Sequence, residues 1–488
     1  MGSPCILAID QGTTNSKALL VSADGTVLAR ASAPLASDYP APGWAQQSAL
    51  EIWQSVQTVI ADLLRQQPGV EVAGIAIANQ RETLVTWDAE TGAPAAPAIL
   101  WQCRRTAEAC AALHSGGMNP VVEAATGLAI NPLFPASKLA WVVREVPEAA
   151  ALLQAGKLRA GTVDSWLLWN LTGGKSFATD HSNASRTQLF NTETLEWDAE
   201  LGRIFGAPLE VLPRPMASDS RFGETDEDAC ALPAGVPILA MLGDSHAALY
   251  GHGVRGPGIV KATYGTGSSL MTLTPERIAS RHGLSGTIAW TTRAGTAHAI
   301  EGNITVSAQA AAYMATMMGL DDARALSDLA ETVPDSGGVT FVPALAGLGA
   351  PHWNDRATGS VEGLTLGSKP AHLARATFEA IALQVADVFT AMERDIGRTL
   401  DELRADGGAS ANPFLMQLQA DLLDRRVLRR DLAEIGAMGA AAMAFETIGH
   451  ALSPDPDTHE DRFDPRAPEN RSAILEQWQA AIRRALRA

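Results

Sequence analysis

The stretch Ile6-Leu7-Ala8-Ile9-Asp10-Gln11-Gly12-Thr13-Thr14-Asn15-Ser16-Lys17, followed at once by Ala18-Leu19-Leu20-Val21, decides the fold. An apolar run ends in a carboxylate, a glycine turn and a row of hydroxyl and amide side chains, and a second apolar run begins directly after. This reads as a β-hairpin whose tip presents backbone N–H groups and hydroxyls to an anion such as a polyphosphate. The GxxxxGK[ST] spacing of a Walker loop is missing, and an ordinary tight turn is the competing reading of so short a motif.

Recurrence favours the phosphate grip. Gly258-Ile259-Val260-Lys261-Ala262-Thr263 leads through Tyr264-Gly265-Thr266-Gly267 into Ser268-Ser269-Leu270-Met271, the same strand, turn, strand design. Two such hairpins suit the clamping of one nucleotide. A third element, Asp406-Gly407-Gly408-Ala409-Ser410-Ala411-Asn412, offers paired glycines for close backbone approach before a helix predicted over Pro413 to Leu423, which suits an adenosine site.

At 488 residues the chain is too long for one core, so two domains are expected, with a cleft as the natural active site. The net charge of -17 argues against nucleic acid or an anionic membrane as partner. Four scattered cysteines build neither a disulfide scaffold nor a zinc site, which fits a reducing cytoplasm. No signal-like or membrane-spanning run is seen, and the Ala/Gly-rich segment Ala437 to Phe445 reads as a closely packed buried helix.

Strand and helix signals alternate as in an α/β domain. The first half has a strand at Thr26 to Ala29, a helix from Ala49 to Gln66 opened by a Ser48/Glu51 capping box, and a buried strand over Gly74 to Ala78. That strand ends at Asn79-Gln80-Arg81-Glu82, and ligands collect beyond the carboxyl ends of such strands. A further strand, Val236 to Leu242, is closed by Gly243-Asp244-Ser245-His246, and the domain junction is placed near residue 250, giving domains 1–250 and 251–488. Beyond it come a helix over Leu373 to Met392, a Pro/Asp-rich connector from Ser453 to Asn470 and an amphipathic terminal helix.

Phosphoryl transfer needs a phosphate cradle, a metal ion and a base for the acceptor hydroxyl. Asp10 stands where it could hold Mg²⁺. Asp244 could accept a proton from an alcohol, or could merely cap the following helix. Arg81 and Glu82 with Trp101 offer a cation, an anion and an apolar wall for a small polyhydroxy compound, against the alternative of a surface ion pair. His246 reads as a packing residue.

The strings Asp10-Gln11-Gly12-Thr13-Thr14, Asn79-Gln80-Arg81-Glu82-Thr83, Trp101-Gln102-Cys103-Arg104-Arg105, Asn183-Ala184-Ser185-Arg186-Thr187, Tyr264-Gly265-Thr266-Gly267, Gly347-Leu348-Gly349-Ala350-Pro351 and Asp406-Gly407-Gly408 carry a resemblance. Over nearly its whole length the chain resembles the FGGY carbohydrate kinases, and among them the glycerol kinases. The resemblance implies an α/β fold of two actin-like (ribonuclease H-like) domains with an interdomain active-site cleft that closes on ATP, Mg²⁺ and the acceptor. It implies that Asp10 helps place the metal, that Thr13, Thr14 and Asn15 meet the phosphates, and that Thr266 contacts the transferring group. Lys17 stands where these kinases typically carry arginine, keeping the charge without the bidentate fork. Gly408 and Asn412 would contact adenosine, Asp244 would be the base, and Arg81, Glu82 and Trp101 would bind the polyol.

Departures from the pattern point to the substrate. Where glycerol kinases line the acceptor site with tyrosine, glutamine and phenylalanine, this chain has Leu133, Ser245 and Ser269. A wider pocket favours a four- or five-carbon polyol or ketose over glycerol. Near the nucleotide, Ala308 and Ala312 replace a glycine and a glutamine, and the acidic Thr225-Asp226-Glu227-Asp228-Ala229 does not fit a sugar-bisphosphate regulatory loop. The rival class is an actin- or Hsp70-like ATPase, which needs no acceptor pocket; a catalytically weak sugar sensor would be expected to lack Asp10 or Asp244. The partner is thus a small-molecule polyol or sugar, with a homodimer left open.

Overall fold

The computed structural model describes residues 4–430, 434–452, 460–466 and 469–487, so half of the Ser453–Asn470 connector lies outside the described residues. The backbone divides into two compact units: residues 1–254, 286–298 and 434–457 form unit 1, and 255–285, 299–433 and 458–488 form unit 2. The division differs from a single cut near residue 250, because a short excursion and helix Ile435–Thr447 return to the first unit.

In unit 1, β1 (Cys5–Gln11) and β2 (Asn15–Ser22) make the expected hairpin, with Asp10 opposite Lys17. Antiparallel β3 (Val27–Pro34) extends it, while β4 (Val72–Asn79) lies parallel to β1 and β5 (Pro237–Gly243) parallel to β4. The order β5-β4-β1-β2-β3 is that of a ribonuclease H-like sheet. β1, β4 and β5 are nearly continuous apolar runs because helices cover both faces. On one side helix Ala49–Gln66 buries Ile52, Val56, Val59, Ile60 and Leu63, and the Ser48 hydroxyl accepts the Glu51 N–H to start it. Helix Ile435–Thr447, with ten buried residues, and helix Asp244–Gly251 meet through Gly439, where a Cβ would lie 1.9 Å from the Ala247 carbonyl.

Unit 2 repeats the design. β6 (Ile259–Tyr264) and β7 (Ser268–Thr274) form the second hairpin; β8 (Glu402–Asp406) runs parallel to β6, and β9 (Arg426–Arg430) parallel to β8. Helix Pro413–Leu423 has the predicted limits, and the predicted helix over Leu373 to Met392 runs from Pro370 to Ile396. The terminal helix Arg471–Ala485 buries Trp478 and Ile482. The two α/β domains expected from the sequence are therefore present. Among the described residues no helix is long and apolar enough to cross a membrane.

Candidate active site

Parallel pairing sets the carboxyl ends of β1, β4 and β5 level, since Gln11 and Gly243 both register with Asn79. Asp10, Arg81-Glu82 and Asp244 are thereby delivered to one edge of the unit 1 sheet. Gly243, and not Asp244, occupies the cap position of helix Asp244–Gly251, so the helix-capping reading of Asp244 is corrected. The Asp244 side chain stays 42 % exposed. One of its oxygens accepts from Arg81 Nε at 3.1 Å and from the Ser245 N–H at 2.6 Å, and Arg81 Nη2 donates to Ser245 Oγ at 3.3 Å. A Cβ at Gly243 would sit 2.6 Å from Arg81 Cδ, so glycine there lets the arginine stem lie across the strand end.

Arg81 and Glu82 do not pair with one another. Both are buried, and Glu82 Oε1 accepts from buried Arg186 Nε at 2.7 Å. Glu82 also takes a left-handed backbone, φ 60°, which for a non-glycine residue is held only by its surroundings. Asn79 and Asn183 exchange amide hydrogen bonds of 3.0 Å, and the Gly243 N–H donates to Ser182 Oγ at 3.0 Å, so the short helix His181–Ala184 ties β4 to β5 at their functional ends.

Beneath the first hairpin lies a web of buried glutamines. Gln80 Nε2 donates to Gln11 Oε1 at 3.1 Å and to Gln47 Oε1 at 3.2 Å, and Gln47 Nε2 donates to the Thr13 carbonyl at 2.6 Å. Thr13 Oγ1 donates to Gln80 Oε1 at 3.3 Å and accepts the Trp101 indole N–H at 3.0 Å. The web fixes the turn while Thr14 stays exposed, with Asn15 Nδ2 donating to its hydroxyl at 3.2 Å. It also couples Trp101, a residue predicted for the acceptor, to the phosphate turn. Leu133 and Ser245 are partly exposed in the same unit. His246 is buried, its Nε2 3.2 Å from Thr287 Oγ1, as a packing residue would be.

Burial pushes Asp10 up to about 7; Asp244 and, more weakly, Glu434 add to the rise while Lys17 opposes it. Helix Ile435–Thr447 arrives here too, since a Cβ at Gly436 would lie 3.2 Å from Asp10 Oδ2. Burial, with these carboxylates beside it, favours a proton or a bound cation at Asp10. Among the described residues no cage of three or more His, Cys, Asp or Glu side chains forms.

In unit 2, Thr266 is exposed at the second hairpin turn, and its carbonyl accepts the Ser307 N–H at 2.9 Å. Gly407, φ 88°, packs so tightly that a Cβ would lie 2.6 Å from the Tyr264 carbonyl, whereas a Cβ at Gly408 would meet nothing within 4 Å. Asn412 caps helix Pro413–Leu423 through the Leu415 N–H and donates to Ser327 Oγ at 2.9 Å. Ser269 Oγ donates to Glu301 Oε1 at 3.0 Å. Ala308 begins helix Ala308–Met317 and Ala312 is exposed on it.

The sequence reading assigned no role to Gln11, Gln47, Gln80, Lys138 or Arg186. Gln11, Gln80 and Arg186 lie within the family-like motifs, and Lys138 interrupts the buried face Ala136, Leu139, Val142 of its helix; a cation in a core stripe is the signal that could have found it.

Comparison with known proteins gives the family. Residues 5–251 match the model of the N-terminal domain, and 260–447 that of the C-terminal domain, of the FGGY family of carbohydrate kinases. A glycerol kinase of Symbiobacterium thermophilum is 44% identical over 495 residues, covering 99% of each chain. An apulose kinase of Pectobacterium atrosepticum is 46% identical over 452 residues, 92% of this chain and 90% of that one. The crystal structure of Plasmodium falciparum glycerol kinase with ADP superposes with a TM-score of 0.92 at 29% identity, covering 99% of this chain and 98% of that one.

Proposed function

The chain belongs to the FGGY family of carbohydrate kinases, and from that premise we propose that it transfers the γ-phosphoryl group of ATP to a terminal hydroxyl of a four- or five-carbon polyol or ketose, with Asp244 as the base. That it is an ATP-dependent phosphotransferase acting on an alcohol follows from the family and from the relatives just given. The observation that carries the assignment of Asp244 is its presentation at the common edge of β1, β4 and β5, half-exposed and oriented by Arg81 and the Ser245 N–H.

Asp244 takes the proton of the attacking hydroxyl as the oxygen bonds to the γ-phosphorus, and the bond to the departing ADP oxygen breaks. A positioned base of this kind supplies on the order of 10²- to 10⁴-fold in rate. Arg81 holds the carboxylate in place, while Arg81, Glu82 and Trp101 orient the acceptor. Thr13, Thr14, Asn15 and Lys17 are assigned to the phosphates, Thr266 to the transferring group, and Gly408 and Asn412 to the adenosine. Asp10, with Asp244 near it, would hold Mg²⁺, which supplies charge neutralisation of the phosphates when bound.

Leu133, Ser245 and Ser269 support an acceptor larger than glycerol, because each is smaller than the side chain glycerol kinases carry there. The likeness to an apulose kinase supports the same reading, and the likeness to glycerol kinases keeps glycerol as the second. ADP release measured across glycerol, erythritol, threitol, the pentitols and four- and five-carbon ketoses separates them. The highest kcat/KM is expected outside glycerol, and a strong preference for glycerol over all the others overturns the larger-acceptor reading.

A further inference from the structure

We propose that Lys138 is the positioning residue of the acceptor site, fixing the Glu82, Trp101 and Leu133 segments in one arrangement through their backbone carbonyls. The proposal rests on the acceptor roles given above to those three residues.

Lys138 lies on helix Pro135–Glu145 with none of its surface exposed. Its Nζ donates to the Leu133 carbonyl at 2.6 Å, the Glu82 carbonyl at 3.0 Å and the Trp101 carbonyl at 3.4 Å. An ammonium has three protons, and each finds a carbonyl. The three acceptors lie 5, 56 and 37 residues away in sequence, so one nitrogen gathers three separate segments. They are the segments that carry the candidate acceptor ligands of unit 1 other than Arg81, Asp244 and Ser245.

Burying an ammonium is costly, and a hydrophobe would fill the space without that cost. Burial drives Lys138 down to about 7 from its ordinary 10.5, opposed by Glu82, Cys103 and Cys110 and reinforced by Arg105. What the lysine supplies in return is convergence. Three carbonyls aimed at one point match a rotating ammonium and do not match the planar guanidinium fork. Glu82 shows the consequence most plainly. Its left-handed backbone is pinned twice, by Lys138 on the carbonyl and by Arg186 on the carboxylate. Trp101 is likewise anchored at its carbonyl by Lys138, at its N–H by Thr83 Oγ1 at 3.3 Å and at its indole by Thr13.

The test compares the full-length wild type with Lys138→Met, which keeps the bulk, and Lys138→Gln, which keeps two N–H donors without the charge. Acceptor KM, kcat and the Kd for ADP are measured on the best acceptor found in the wild-type panel. Displacing a binding group by about 1 Å costs up to about 100-fold, so acceptor KM is expected to rise on the order of 10- to 100-fold in Lys138→Met and less in Lys138→Gln, with Kd for ADP within about twofold of wild type. A merely structural lysine would lower the active fraction, and so kcat per milligram, with KM unchanged. Unchanged KM in a folded variant overturns the proposal. If Lys138→Met does not fold, Lys138→Gln decides: a raised KM supports the positioning role and a wild-type KM overturns it. A wild type that phosphorylates no polyol or sugar removes the functional reading itself, a failure visible before any variant is made.

Discussion

At the scale of single residues, the charge on Asp10 makes a checkable statement about pH. The group titrates near 7 in the folded chain against 3.8 ordinarily, so over that window the folded protein holds a proton that the unfolded chain has released. The stability it contributes is complete below its ordinary value and is lost as pH rises through about 7. Thermal scans without metal or nucleotide should therefore show the wild-type midpoint falling more steeply from pH 5 to pH 8 than that of Asp10→Asn; parallel curves would remove Asp10 as the source. Because a cation competes with the proton, added Mg²⁺ should raise the wild-type midpoint more at about pH 8 than at about pH 6 and leave Asp10→Asn nearly unmoved. Specificity is tested at the same scale. The double variant Leu133→Tyr, Ser245→Gln should shift preference toward glycerol by roughly 1–3 kcal/mol per position, and an unchanged ranking of acceptors would show that these side chains do not line the site. The strand-end positions of Asp10, Arg81, Glu82 and Asp244 were legible in the sequence because each closes or follows an apolar run. Lys138 and the glutamines were not, since burial of a polar side chain depends on partners distant in sequence; Arg81 and Asp244, for instance, meet across 163 residues.

At the scale of elements, helix Ala49–Gln66, helix Pro413–Leu423 and both hairpins were readable from capping, periodicity and turn chemistry. Local signals sufficed because each element is specified within its own span. The side-by-side placement of β1, β4 and β5, on which the site depends, is non-local and rests on parallel pairing that no short window encodes. Packing of helix Ile435–Thr447 against helix Asp244–Gly251 is similar: a Gly/Ala-rich run announces close contact but not its partner. Gly439 is a point of close approach, and Gly439→Ala would drive a methyl to within 1.9 Å of a carbonyl. Overpacking of this kind costs about 1–3 kcal/mol, so the apparent unfolding midpoint should drop by several degrees, and a midpoint equal to wild type would contradict the tight contact. Because the same helix brings Gly436 to Asp10, the Mg²⁺ dependence of that variant should weaken as well.

At the scale of the molecule, the coarse duplication was visible as two Gly/Thr hairpins, and each proves to open a sheet built around a parallel neighbour. The return of Ile435–Thr447 to the first unit was not visible, because chain order says nothing about which core a late helix completes. The same two-sheet plan serves ATPases that lack an acceptor, so fold alone does not assign the chemistry. The family and the relatives assign the kinase class, and one comparison tests the role proposed for the half-exposed carboxylate beside Arg81: kcat with the preferred acceptor and Kd for ADP, measured on Asp244→Asn and wild type. The expected result is a loss in kcat on the order of 10²-fold or more with Kd nearly unchanged. A variant that turns over at the wild-type rate would contradict the account.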